Sequence, residues 1–265
     1  MNYENELKQY LSGARAEKVL ALESTASTND EAKKLALAGA GDGEVVLARC
    51  QSEGRGRLGR SFFSRSGKGV YLSYLIRTKK PLCDLSELTS HTAVAVCEAI
   101  EELYGLDQTP KIKWVNDIMM QGKKVCGILC EAFADKGDNC VVIGIGLNVN
   151  EEESDFPEEI KGIASSLLAA TGKNVAVSAV AAALIAHLDI MRAEWEKGSA
   201  VIKENYLSRY RERCISTGRR VLIQRAGEAV EAEALFVGDD YSLRVRYDDG
   251  REESVFSGDV SVRGI

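Results

Sequence analysis

A segment rich in arginine and glycine carries the strongest chemical signal in this sequence. Residues 53–64 read Glu-Gly-Arg-Gly-Arg-Leu-Gly-Arg-Ser-Phe-Phe-Ser, so that Arg55, Arg57 and Arg60 are interleaved with three glycines. Arginine is charged at every accessible pH and offers a planar set of donors to carboxylate or phosphate, whereas glycine lets the backbone approach a ligand closely. Residues 52–68 hold five cations against one anion, in a chain of formal net charge −6. The pattern predicts a loop that wraps an anion.

The alternative interpretation of this loop is a solvated surface stretch or an RNA-binding arginine-glycine segment. The sequences on either side disfavour it, because Glu44–Cys50 and Gly69–Arg77 are apolar and β-branched and predict buried strands. The loop is therefore predicted to connect two strands. This placement excludes the dinucleotide-binding fingerprint, in which a helix must follow the glycines.

Further polar residues lie where predicted strands or helices begin or end. Ser27, Thr28 and Asn29 precede a predicted helix that runs to about Ala38, and Thr28 with Glu31 fits a capping box. A helix cap alone would explain these residues, but an exposed helix N-terminus also binds polar ligand atoms.

Asn116 and Asp117 end a short predicted strand, and Lys124 lies across a tight hairpin from them. An Asx turn with a surface ion pair is the plain explanation, and a carboxylate and an ammonium facing one small ligand is the functional one. Asn148 follows two glycines and either ends a strand or contacts a ligand; Gln51 alone gives no indication.

The remaining pattern predicts a mixed α/β protein with a second, all-β part. Short strands separated by turn signals begin after Gly218, which predicts a catalytic domain over residues 1–217 and a small β-barrel over residues 218–265. Further strands are predicted at Lys111–Trp114, Ile118–Met120, Lys124–Ala132 and Cys140–Leu147, and helices at Ser86–Tyr104, Ile163–Ala170, Ala179–Lys197 and Ser199–Cys214.

Composition excludes several classes of function. The 265 residues contain seven cysteines without a C-x-x-C pair and only two histidines, which disfavours disulfide frameworks, zinc sites and Ser-His-Asp hydrolysis. The acidic balance disfavours general nucleic-acid binding. Because we find neither a signal peptide nor an apolar run long enough to span a bilayer, we expect a cytoplasmic protein without membrane contact.

Five of these motifs in one order resemble a biotin protein ligase. They are Ser27-Thr28-Asn29, the segment Gln51-x-x-Gly54-Arg55-Gly56-Arg57-x-Gly59-Arg60, Lys113-Trp114-x-Asn116-Asp117, Gly122-x-Lys124-Val125-x-Gly127-Ile128-Leu129, and Gly144-x-Gly146-x-Asn148. The match spans about 120 residues and is more specific than any single motif. The resemblance implies a mixed β-sheet flanked by helices, as in class II synthetase-like catalytic domains, with a small C-terminal SH3-like β-barrel.

The resemblance also implies a reaction and a set of site residues. Biotin and ATP would form biotinyl-5′-AMP, and biotin would then pass to a lysine of a biotin carboxyl carrier domain. Arg57, Lys124 and Asp117 would be catalytic, and Asp117 would serve Mg²⁺ or the acceptor lysine. Biotin would contact Ser27, Thr28, Asn29, Gln51, Gly54, Arg55, Gly56, Arg57, Lys124 and Gly127, and ATP would contact Arg57, Arg60, Phe62, Asn116, Asp117 and Asn148.

Some features differ from the family pattern or leave alternatives. Phe62 stands where such ligases often have Trp, and Val115 where Pro is common. About 18 residues precede the first predicted strand, Val19–Leu22, so we expect no helix-turn-helix domain and no specific DNA binding. A homodimer through Cys140–Leu147 as an edge strand is a further hypothesis. A lipoate-type ligase and a biotin-sensing protein without turnover remain the alternative functions.

Overall fold

The computed structural model describes residues 2–81, 85–105, 109–225, 228–256 and 259–262. Two β-sheets and eight α-helices organise this part of the chain. The helices are α1 (Tyr3–Leu7), α2 (Gly13–Ala16), α3 (Thr28–Leu37), α4 (Leu85–Tyr104), α5 (Glu158–Lys161), α6 (Leu167–Thr171), α7 (Val177–Lys197) and α8 (Ala200–Arg213).

The first sheet is mixed, as predicted. Its seven strands are β1 (Val19–Leu22), β2 (Val45–Ala48), β3 (Gly69–Thr78), β4 (Lys111–Lys113), β5 (Asp117–Met120), β6 (Lys123–Asp135) and β7 (Asp138–Asn148). They lie in the order β1-β2-β3-β7-β6-β5-β4, and the pair β1-β2 is parallel whereas the other pairs are antiparallel. Gln121 and Gly122 both have positive φ, at 50° and 77°, which confirms the tight turn between β5 and β6.

Helices cover both faces of this sheet because its strands are apolar on both sides. Val45 and Leu47 of β2 join a large core with α4 and α7, whereas Val46 packs with Ala32 and Ala36 of α3 in a smaller core on the opposite face. Ser73 of β3 lies on the α3 face and bonds to the start of that helix. The first turn of α3 is thereby fixed against the sheet.

A second, antiparallel sheet forms the C-terminal part. Its strands are β8 (Arg219–Arg225), β9 (Glu228–Val237), β10 (Leu243–Arg246), β11 (Glu252–Val255) and β12 (Asp259–Val262), in the order β11-β10-β9-β8-β12. Tyr241, in the connection between β9 and β10, accepts a hydrogen bond from the Trp114 indole at its carbonyl. The predicted small C-terminal β-structure is thus confirmed.

Two local predictions are wrong. Residues 163–170 do not form one helix, because Ile163 and Ser165 instead make backbone hydrogen bonds to Lys124 near the start of β6. The strand predicted at Cys140–Leu147 is part of β7, which lies between β3 and β6 and is not an edge strand. The homodimer therefore stays a prediction without a strand assigned to it.

Candidate functional site

Two adjoining cavities lie on the α3 face of the first sheet. The smaller has a volume of about 50 Å³ and the larger about 440 Å³. Of the predicted site residues, the smaller cavity is lined by Ser27, Thr28, Asn29, Gln51, Arg55, Gly56, Arg57, Phe62, Asn116, Lys124 and Gly127. The larger is lined by Arg60, Phe62, Asp117, Lys124 and Asn148. Lys124 and Phe62 line both, so the cavities meet at these two side chains.

The start of α3 forms the polar end of the smaller cavity. The backbone N–H and the hydroxyl of Thr28 donate to Gln51 Oε1 at 2.8 and 3.0 Å. Ser27 is the N-cap, and the Glu31 carboxylate bonds to Thr25 and Lys34. The predicted capping box of Thr28 and Glu31 is therefore wrong, since the Thr28 hydroxyl bonds to Gln51 at the cavity wall.

The arginine-glycine loop closes over the smaller cavity. Arg57 donates to Asn116 Oδ1 at 3.0 Å, while Asn116 donates to the Ile128 carbonyl at 2.8 Å, so the loop is tied to the segment before β5 and to β6. Arg55 pairs with Asp30 of α3. Gly54 lines neither cavity; a Cβ there would lie 2.5 Å from the Phe62 carbonyl, so its role is to let the two sides of the loop approach.

Lys124 lies at the junction of the cavities and is held by Asp117. The Lys124 ammonium is 2.6 Å from Asp117 and the Lys113 ammonium is 4.0 Å from the same carboxylate. A Cβ at Gly127 would lie 3.1 Å from Lys124 Nζ, so glycine leaves room for the lysine to fold back over its own strand. The site therefore presents a cation where a ligand spanning both cavities would pass.

Phe62 packs against the sheet between the cavities. A Cβ at Gly146 would lie 2.5 Å from the Phe62 ring, and the ring meets Tyr71 edge-on at 6.5 Å between centroids. Glycine at position 146 is thus required for this aromatic contact. The larger cavity is also lined by the polar side chains of Ser61 and Lys113 and by apolar side chains that sequence reasoning missed: Phe63, Met119, Ile160 and Ile163.

Asn148 contributes an acceptor without a partner. Its Nδ2 donates to the Ser165 carbonyl at 2.9 Å, whereas its buried Oδ1 has no hydrogen-bond partner among the described residues. An unsatisfied buried oxygen at the wall of a cavity indicates a ligand donor or a cation. Within the described residues, no group of three or more metal-ligating side chains occurs.

Ser73 and Glu131 also belong to the site, although the motifs did not include them. Ser73 Oγ lies 2.6 Å from Asn29 Oδ1, and Asn29 Nδ2 donates to Glu131 at 2.6 Å. A polar residue amid the apolar sequence of β3 was the available signal for Ser73. For Glu131 the signal was weaker, since a strand with polar residues on one face is ordinary.

The chain is similar to biotin ligases in sequence and structure. The sequence profile of the Biotin/lipoate A/B protein ligase family matches residues 21–148. The bifunctional ligase/repressor BirA of Bacillus subtilis is 45% identical over 150 residues, which cover 56% of this chain and 46% of that protein. The biotin--[acetyl-CoA-carboxylase] ligase of Mycobacterium tuberculosis is 30% identical over 244 residues, 89% of this chain and 85% of that protein.

A solved structure matches nearly the whole fold. The biotin protein ligase from Aquifex aeolicus in complex with biotin and ATP has a TM-score of 0.77 and 28% identity, and the match covers 92% of this chain and 98% of that one. The chain spans about half the length of the Bacillus relatives that it matches. Among the described helices, none has the length and apolar character needed to cross a bilayer.

Proposed function

Because the chain belongs to the biotin/lipoate A/B protein ligase family, we propose that it is an ATP-dependent biotin ligase acting on a biotin carboxyl carrier domain. The observation that carries the proposal is that a small polar cavity and a larger one meet at Lys124 and Phe62. A ligase that forms an acyl-adenylate needs this arrangement, since the carboxylate of one substrate must reach the α-phosphate of the other. The Aquifex relative was solved with biotin and ATP, which supports a fold that holds both substrates; in our proposal biotin occupies the smaller cavity and ATP the larger.

In the first step, a biotin carboxylate oxygen attacks the α-phosphorus of ATP, and the bond from that phosphorus to pyrophosphate breaks. Both substrates are anionic, so the barrier depends on cations placed where they meet. Lys124 lies at the junction, and Arg57 and Arg60 line the smaller and larger cavities. The ion pair with Asp117 already restricts Lys124, so the ammonium loses less conformational entropy when the substrates bind.

In the second step, the neutral amine of the acceptor lysine attacks the acyl carbon, the bond to AMP breaks and the amine loses a proton. Free lysine titrates near pH 10, so a group that takes up the proton or holds the amine assists the step. Asp117 is the carboxylate of the larger cavity and takes this role in our proposal.

Asp117→Asn tests that role. We expect slower transfer from preformed biotinyl-5′-AMP to a carrier domain, measured by mass spectrometry. Normal transfer from preformed adenylate, together with a loss of adenylate formation, would instead assign Asp117 to ATP and Mg²⁺.

The residues at the larger cavity fit a Mg²⁺ ion bound mainly through ATP. Mg²⁺ usually takes one or two carboxylates together with substrate phosphates. Asp117 is one such carboxylate, and the unpartnered Oδ1 of Asn148 is a second oxygen at the same cavity. When bound, the ion would neutralise phosphate charge.

The decisive experiment compares three mixtures of the full chain with ATP and a biotin carboxyl carrier domain. With biotin, we expect release of pyrophosphate and biotin on the carrier; with lipoate or without either acid, we expect neither. Preference for lipoate would support the alternative ligase, and biotin binding without pyrophosphate release would support a biotin sensor. We place the reaction in the cytoplasm, where the free thiols of the six described cysteines persist.

A further inference from the structure

A continuous line of hydrogen bonds runs from Glu131 on β6 to the wall of the smaller cavity. Glu131 Oε2 accepts from Asn29 Nδ2 at 2.6 Å, and Asn29 Oδ1 lies 2.6 Å from Ser73 Oγ. Ser73 Oγ is also 2.8 Å from Thr28 Oγ1, which is 3.0 Å from Gln51 Oε1. Glu131 does not line the cavity, whereas Thr28 does.

The charge of Glu131 fixes the direction of the bonds in this line as far as Ser73. An ionised carboxylate only accepts, so the Asn29 amide must turn its nitrogen to Glu131 and its oxygen to Ser73. Ser73 has a single hydroxyl proton, and the Asn29 oxygen takes it. The Ser73 oxygen can then only accept a hydrogen bond from Thr28, so the hydroxyl proton of Thr28 points inward, to Ser73 or Gln51.

This direction leaves the lone pairs of Thr28 Oγ1 available to the cavity. Had the Asn29 amide been reversed, Ser73 would donate to Thr28 and occupy one of those lone pairs. Solvent does not supply alternative partners, since Thr28, Asn29 and Ser73 are 3%, 4% and 0% exposed. Gly144 makes room for the Asn29 amide in this position, because a Cβ there would lie 2.3 Å from Asn29 Oδ1.

Lys33 keeps the Glu131 carboxylate ionised, as this line of hydrogen bonds requires. Burial alone would raise the pKa of Glu131, but hydrogen bonds from the Lys33 ammonium and the Asn29 amide lower it below its ordinary value. Lys33 Nζ lies 2.6 Å from the carboxylate.

We propose that Glu131 is a positioning residue that, through Asn29 and Ser73, makes Thr28 Oγ1 an acceptor for an N–H donor of the substrate. The inference rests on the proposed function, in which biotin enters the smaller cavity: its ureido ring carries N–H donors, whereas lipoate has none on its ring. Glu131 thereby contributes to the choice of biotin over an acid of similar length, without touching either.

Glu131→Gln tests the inference, because the amide introduced at position 131 can donate to Asn29 and allow the reversed line. We expect the Kd for biotin, measured by calorimetry on the full chain, to rise several-fold, since Ser73 then donates to Thr28 Oγ1 and occupies one of the two lone pairs that the ligand donor could use. The Kd for ATP and the melting temperature should change little. Glu98→Gln is the matched control, since Glu98 is a similarly half-buried carboxylate paired with Arg209 away from the cavities.

A double variant separates hydrogen-bond direction from general damage. When Glu131→Gln is combined with Asn29→Asp, the new amide at position 131 donates to the new carboxylate at position 29. That carboxylate again accepts from Ser73, so biotin binding should recover most of the loss. A Kd for biotin in Glu131→Gln equal to that of the wild type would overturn the inference, as would a double variant no better than the single one. Failure of the wild type to bind biotin would instead overturn the proposed function, before any variant is compared.

Discussion

At the scale of single residues, Glu151 is a carboxylate with no exposed surface, just beyond the end of β7. Its Oε1 lies 3.5 Å from the Tyr71 hydroxyl, and its Oε2 has no partner among the residues that the structure describes. Burial raises the pKa of Glu151 from 4.5 to about 7. Its ionisation is therefore coupled to folding in the neutral range.

Glu151→Gln should change how stability depends on pH. Between pH 4.5 and about 7 the folded protein binds the proton more tightly than the unfolded chain, so the contribution of Glu151 is fully present at low pH and is lost as pH rises through 7. At pH 8 the buried charge of Glu151 lowers the free energy of unfolding by on the order of 3 kcal/mol. We expect Glu151→Gln to melt at a higher temperature than the wild type at pH 8, with a smaller difference at pH 5. Parallel pH dependences of the two melting temperatures would contradict this.

Gly144 shows why a small residue stands in the middle of β7. Gly144→Ala would place a Cβ 2.3 Å from Asn29 Oδ1, and Asn29 is held on both sides by Ser73 and Glu131. We expect the Kd for biotin to rise about tenfold or more because the amide must leave these partners. Gly41→Ala is the control, since a Cβ there meets nothing within 4 Å and Gly41 lines neither cavity. Unchanged biotin binding in a titration of Gly144→Ala would refute the packing argument.

Side chains of the site were predictable where their chemistry is unusual for their position. Three arginines among glycines, or a lysine facing a carboxylate across a hairpin, indicate a ligand by residue type and spacing alone. Ser73 and Glu131 act on the site through Asn29. The bond from Ser73 to Asn29 joins residues that are 44 positions apart in the sequence, and the bond from Asn29 to Glu131 joins residues that are 102 positions apart. Such pairs are fixed by the order of strands in the sheet, which the local sequence does not contain.

At the scale of elements, the arginine-glycine loop is held by few bonds. Backbone hydrogen bonds join Phe62 to Gly54 at 2.8 Å and Gly56 to Arg60 at 2.7 Å, and Leu58 between them is 71% exposed. Ordering backbone costs roughly 1–2 kcal/mol per residue, whereas a charge-assisted hydrogen bond contributes about 1.5–3 kcal/mol. Without a ligand, the loop is therefore only marginally stable.

Biotin should slow amide hydrogen exchange in this loop. We expect at least about tenfold slower exchange over residues 55–61 when biotin saturates the protein, because ligand contacts add to a few existing bonds. The turn over residues 247–251 of the C-terminal sheet is the internal control and should exchange at the same rate in both samples. Equal protection of residues 55–61 with and without biotin, measured by mass spectrometry, would show that the loop is already fixed.

Strands and long helices were predicted well, and connections were not. β3, β7, α4 and α7 begin and end within two residues of their predicted bounds, since apolar runs and helical periodicity decide them. The sequence predicts that residues 163–165 begin a helix, but their backbone pairs with Lys124 instead. This pairing depends on where β6 ends up in the sheet, so tertiary contact overrides local preference.

At the scale of the whole molecule, Tyr241 joins the C-terminal sheet to the helices and strands of the first sheet. Its hydroxyl is 2.7 Å from His91 Nε2 in α4, its carbonyl accepts from the Trp114 indole at 2.9 Å, and its ring meets Tyr210 of α8 edge-on. Burial lowers the pKa of His91 to about 3, so the imidazole is neutral at this contact. The turn signals in the sequence predicted a C-terminal β-structure. They could not predict that Tyr241 makes its contacts to the helices, because these contacts depend on long-range packing.

Trp114 links this contact to the site. It is followed directly by the segment that ends in Asn116 and Asp117, and its backbone N–H donates to Ser216 at 3.0 Å. The C-terminal sheet therefore supports Asn116, which lines the smaller cavity, and Asp117, which lines the larger one. Damage to this support should weaken binding at both cavities.

Tyr241→Ala tests this dependence. Loss of a buried aromatic ring should lower the free energy of unfolding by about 3–5 kcal/mol and raise the KM values for both biotin and ATP, because Asn116 and Asp117 line one cavity each. Tyr241→Phe keeps the ring and removes only the hydroxyl, so a loss of about 1 kcal/mol with normal KM values is expected. Tyr247→Phe removes a hydroxyl that bonds to Glu253 within the C-terminal sheet and controls for a general effect on that sheet. Unchanged KM values for Tyr241→Ala would mean that the C-terminal sheet stabilises the fold without positioning the residues of the cavities.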